Sequence, residues 1–166
     1  SITPTWSILN VHRIKEIIEF FYINDLLPGA FYKSVTWDID MCNIILMYPK
    51  FLSISVASPE WKKVIHQKLD EFEEWYKTVM IPLKDENVQF FALKILEGNM
   101  SKFRNALGES TNVSDPKEYK DWLFNNTGYK KWFEQLDNAR STKFLDTFPE
   151  LEWYVRSGSD WYLRKD

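Results

Sequence analysis

The chain is poor in cysteine, histidine and glycine, and these shortages remove several classes of function. Cys42 is the only cysteine among 166 residues. No disulfide can close within the chain, and a cysteine-rich zinc site or a cysteine-held iron–sulfur cluster would lack ligands. His12 and His66 are the only histidines, with neither an HExxH motif nor a paired Cys/His spacing, so no self-contained metal centre is expected. No apolar run reaches the ~18–20 residues of a membrane span, and nothing resembles a signal peptide. These shortages point to a reducing, cytoplasmic setting with no membrane partner. Neither sign of charge dominates. With 21 basic and 24 acidic side chains the formal net charge is −3 and the isoelectric point about 5.5. That balance argues against nucleic-acid binding through generic electrostatic attraction.

Aromatic residues, by contrast, are plentiful. The chain holds 8 Trp, 8 Tyr and 12 Phe against only 5 Gly. Few turn residues and many large side chains predict long helices around a bulky core. The length fits one compact domain, and the 45% hydrophobic and 27% charged shares match a globule rather than a disordered chain.

Hydrophobic periodicity predicts an α/β beginning. Thr5 to Leu9 alternates small polar and large apolar residues, as a half-buried strand does. Val11 to Tyr22 places Ile14, Ile17, Ile18 and Phe21 at helical spacing, with Arg13, Lys15, Glu16 and Glu19 outside. Pro28-Gly29 breaks the helix. Ala30 to Trp37 then reads as a second strand, with Phe31, Val35 and Trp37 on one face. Strand, helix, strand is a right-handed βαβ unit with parallel strands. Two parallel strands alone leave faces and edges uncovered. With Ser1 leading directly into a strand pattern, the expectation is a later part of a longer protein, although a processed terminus is an ordinary alternative.

The remainder reads as helical. An irregular connection, Asp38 to Ser58, has an apolar middle at Ile44-Ile45-Leu46-Met47-Tyr48-Pro49 and a short possible strand at Leu52 to Val56. Ser58-Pro59-Glu60 supplies an N-cap, a first-turn proline and an acid near the positive end of the helix dipole. The helix it opens runs to about Val79, with Trp61, Val64, Ile65, Leu69, Phe72 and Trp75/Tyr76 as its buried stripe. Further helices are expected over Glu86 to Leu96, ending before Gly98, and then over Ser114-Asp115-Pro116 to Phe124, Tyr129 to Ala139 and Pro149 to Val155.

Three stretches carry a resemblance. They are Thr3-Pro4-Thr5-Trp6-Ser7-Ile8-Leu9-Asn10-Val11-His12-Arg13-Ile14, then Pro49-Lys50-Phe51-Leu52-Ser53-Ile54 with Pro59-Glu60-Trp61-Lys62, and last Leu136-Asp137-x-x-Arg140 with Phe144-Leu145-Asp146-x-Phe148-Pro149-Glu150-Leu151. In this order they resemble the C-terminal part of radical S-adenosylmethionine proteins of the phage and bacterial subgroup with a twitch domain. The likeness covers roughly residues 3–80 and 130–152, and its patterns are loose. It implies an α/β fold in which residues 1–58 are the last strands of a partial (β/α) barrel and residues 59–166 a mostly helical cap. It further implies that S-adenosylmethionine contacts fall on Ser7 and Asn10 of the first strand and on Ser34 and Thr36 of the second, because ligands of such barrels sit at C-terminal strand ends. The ordinary reading of Asn10 is a helix cap, and that of Ser7, Ser34 and Thr36 is close packing.

The sequence also departs from that family. Its CxxxCxxC loop is absent, so the 4Fe–4S cluster and its cofactor are expected only with a cluster-bearing half outside this sequence, and neither within it.

Other chemistry-bearing residues have weaker patterns. Glu71, Glu73 and Glu74 point to different helix faces and read as solvated. Asp38 and Asp40 share one face of an extended segment. His12 is the better histidine for a proton role, His66 covers the core edge, and Cys42 reads as a small apolar residue. The lysines among Tyr119, Trp122, Phe124, Tyr129, Trp132 and Phe133 fit amphipathic helices with their aromatics packed inward better than a base-stacking surface. Trp153-Tyr154 and Trp161-Tyr162 call for cover by a partner protein or a missing half. Two functions follow. One is the C-terminal portion of a radical S-adenosylmethionine enzyme closing over a small-molecule or peptide substrate, with no catalysis by this chain alone. The other is a non-catalytic, aromatic-rich interaction module, such as a viral accessory or inhibitory protein.

Overall fold

The computed structural model describes residues 5–24, 26, 44–48, 52–57 and 59–108, together with isolated positions 118, 135, 137–139, 143, 146 and 149. Among the described residues three α-helices dominate: α1 (Ile14–Ile23), α2 (Pro59–Trp75) and α3 (Glu86–Gly108). A 3-10 turn, Val11–Arg13, leads into α1, and another, Ile54–Val56, precedes α2. α1 and the turn before it pack on α2, and α3 packs on α2 and on the Ile54–Val56 turn.

The α/β expectation is corrected here. Among the described residues there is no strand, only an isolated parallel bridge between Trp6 and Ile45. Trp6 N–H donates to Ile44 O at 2.8 Å and Leu46 N–H donates to Trp6 O at 2.8 Å. The pairing stops there because the chain turns at once. The Ser7 carbonyl accepts from Asn10 N–H at 3.2 Å and from Val11 N–H at 3.0 Å, which rolls the backbone into the helix. Alternation over Thr5–Leu9 marks two buried side chains, Trp6 and Ile8, on a segment too short to hold a ladder. Leu52–Val56 is likewise no strand. Ser53 Oγ takes the Ser55 N–H at 3.3 Å and stabilises a 3-10 turn in its place. The second expected strand, Ala30–Trp37, lies outside the described residues, so neither a βαβ unit nor a partial barrel is seen.

The helix starting at Pro59 keeps its buried stripe. Ile65, Leu69, Phe72 and Tyr76 are fully buried, while Trp61, Val64 and Trp75 are half-buried. Lys15 Nζ of α1 lies over the Trp75 ring, 6.0 Å from its centroid. Beyond Trp75 the helix widens into a π segment, Tyr76–Met80, where Ile81 N–H reaches back to Tyr76 O. Pro82, in the following 3-10 turn Ile81–Leu83, explains the change of winding. Its ring has no N–H to donate and crowds the carbonyl four residues earlier. Within this segment the Thr78 hydroxyl donates back to Glu74 O at 2.9 Å.

α3 runs on through Gly98, where an end was expected. An added Cβ at Gly98 would meet nothing, so the glycine faces open space. A glycine inside a helix costs about 1 kcal/mol relative to alanine. The buried side chains past it, Met100, Phe103 and Leu107, outweigh that cost.

One apolar core joins these elements. Trp6, Ile8, Val11, Ile14 and Ile18 meet Ile54, Val56, Ile65, Leu69 and Phe72, and these meet Leu96, Met100, Phe103 and Leu107. Trp6 and Phe103 touch edge to face with centroids 6.4 Å apart. Phe103→Ala is therefore expected to lower unfolding free energy by about 3–5 kcal/mol in urea titrations. Asn105→Ala, on the exposed face of the same helix, is expected to stay within about 0.5 kcal/mol of the parent chain.

Candidate functional site

Of the four residues that the resemblance marks for cofactor contact, Ser7 and Asn10 are described. They form a closed turn. Asn10 Oδ1 accepts from Ser7 N–H at 2.8 Å and from Ser7 Oγ–H at 3.3 Å. Asn10 Nδ2 donates to Thr5 O at 3.1 Å, and Ser7 Oγ accepts from Leu9 N–H at 3.3 Å. Asn10 stands at the cap position of the Val11–Arg13 turn, yet its side chain reaches backward and makes no forward capping bond. The two residues thus brace the point where the bridge becomes a helix, and their polar atoms are engaged within that turn. Ser34 and Thr36 lie outside the described residues, as do Asp38, Asp40 and Cys42.

His12 is buried beside this turn, its ring 5.3 Å from the Trp61 ring in a tilted contact. Its surroundings are thus aromatic packing between the Val11–Arg13 turn and the first part of α2. His66 is half-buried on α2. Among the described residues no three His, Cys, Asp or Glu side chains gather closely enough to hold a metal ion.

The acidic cluster on α2 divides its work. Glu71 accepts from Lys68 Nζ at 2.6 Å and from Gln67 Nε2 at 3.0 Å on the outer surface. The hydrogen bond from Lys68 holds the Glu71 carboxyl below its usual range. Glu73 instead faces α3. It accepts from Lys77 Nζ at 2.7 Å and from Arg104 Nη2 at 2.6 Å, and the same Arg104 nitrogen donates to Asp70 at 2.8 Å. Burial alone would push the Glu73 carboxyl up, but the hydrogen bonds from Lys77 and Arg104 outweigh it and the net shift is downward. Arg104 is the mirror case, lowered by burial and raised further by its two carboxylate partners. This is a partly exposed interhelical clamp between α2 and α3, of modest strength. The i,i+3 and i,i+4 pairs Lys68–Glu71 and Glu73–Lys77 follow from helical spacing. Arg104 was not marked by sequence reasoning, because nothing local connects it to residues more than thirty positions earlier.

A second feature that the sequence reading left unmarked is apolar and exposed. Phe90 is 63% and Phe91 57% exposed near the start of α3. Their rings touch edge to face at 5.7 Å, with Lys94 Nζ 6.0 Å above Phe90. Adjacent helical residues lie about 100° apart, and the buried stripe of α3 runs through Ala92, Leu96 and Phe103 instead. Phe20 and Ile23, at the end of α1, are also largely exposed. The Trp153 and Trp161 region, where partner cover was expected, lies outside the described residues. Among the described residues, no helix is long and apolar enough to cross a membrane.

The Glu73 clamp carries a pH dependence of defined sign. A carboxyl held below its usual range when folded adds stability above the ordinary value of 4.5 and loses it as pH falls below that value. Glu73→Gln is expected to cost roughly 0.5–1.5 kcal/mol near neutrality, read by thermal melts. The same melts taken in acid should show a smaller gap between the variant and the parent chain. A gap that grows in acid contradicts this assignment.

No protein-family model, curated protein or solved structure matches the chain.

Proposed function

We propose that this chain is a helical, non-cluster portion of a radical S-adenosylmethionine protein, packing beside the substrate rather than reducing the cofactor. One observation supports this reading above the others. Two of the stretches with the family resemblance are distant in sequence, yet they meet: Ile8 N–H donates to Leu52 O at 2.9 Å, and Ile8 and Ile54 enter one core beneath α2. The described parts of these two stretches, Thr5–Ile14 and Leu52–Ile54, thus share one packing unit. The partial barrel is not part of the proposal.

The residues present do not fit the cluster, since a lone cysteine cannot supply its thiolate ligands. Ser7 and Asn10 are engaged with each other and with backbone groups, so no cofactor step is assigned to them. What this chain's residues supply is packing, shape and exclusion of water beside a site formed elsewhere. The substrate class in this reading is a small molecule or peptide.

The test is the complete coding sequence, expressed and reconstituted anaerobically with iron and sulfide. The expected result is a CxxxCxxC motif upstream, bound iron and sulfide, and 5′-deoxyadenosine released from S-adenosylmethionine under reducing conditions. A start codon immediately before Ser1, or a full-length protein that binds no iron, overturns the reading.

The second reading, a non-catalytic interaction module, is favoured by the exposed Phe90–Phe91 pair, because exposed aromatic clusters mark contact surfaces. It predicts that the double variant Phe90→Ser with Phe91→Ser keeps the parent stability within about 1 kcal/mol. On size-exclusion chromatography from the native host, the parent chain should elute with a partner and the variant alone. Identical elution of the two contradicts this second reading.

A further inference from the structure

No further inference is drawn: the strongest candidate, the exposed aromatic surface of α3 around Phe90 and Phe91, belongs to the second reading already given, and nothing in the structure shows what covers it.

Discussion

Burial of Trp6 is the constraint on which the rest of the arrangement depends. Its backbone is fixed on both sides, donating to Ile44 O and accepting from Leu46 N–H, and its indole is fully enclosed. The ring meets Phe103, which belongs to the last turns of α3. A residue near the start of the described chain thus packs against a helix that begins about eighty positions later. Fully burying a large aromatic side chain contributes on the order of 2–3 kcal/mol. Here that burial also fixes where the Ser7–Asn10 turn begins, and so where α1 starts. The Arg104 clamp joins a different pair, α2 and α3, from the outside. It aligns α2 with α3 through charge-assisted bonds, while the apolar side chains between them supply most of the stability.

Where periodicity was long, the sequence was legible. The stripe Ile65, Leu69, Phe72 and Tyr76 could be read from spacing alone, as could Ile14 and Ile18 of α1, because a helix repeats its buried face over several turns. Two lines of reasoning failed for physical reasons. A five-residue alternation at Thr5–Leu9 carries too few repeats to separate a strand from a short extended segment, and the Ser7–Asn10 hydrogen bonds end the extension after one bridge. Gly98 reads as a stop signal, yet a glycine on an open helix face is tolerated when strongly apolar residues follow it. Arg104 and its carboxylates illustrate a third limit. A pairing across helices leaves no trace in local spacing, whereas Lys68–Glu71 does.

The same contrast applies to function. Ser7 and Asn10 are the residues that the family resemblance marks for ligand contact, at the end of an expected strand. Their hydrogen bonds explain both residue types without a ligand. Asn supplies an acceptor for the Ser7 N–H and a donor for the Thr5 carbonyl, and Ser supplies a hydroxyl short enough to accept from Leu9. The proposed relation to radical S-adenosylmethionine proteins rests on a resemblance in short segments, and the described parts of two of them pack together. The competing interaction role rests on the Phe90–Phe91 pair, which is exposed outside the core of the described residues.

The most direct test of this account is native-state hydrogen exchange on the parent chain. If one core joins the Trp6 segment to α2 and α3, the amides of Trp6 and Ile8 exchange with the same opening free energy as those of Leu69 and Leu96, and all four fall together as denaturant is added. A Trp6 segment that opens readily while the amides of α2 and α3 stay protected contradicts it.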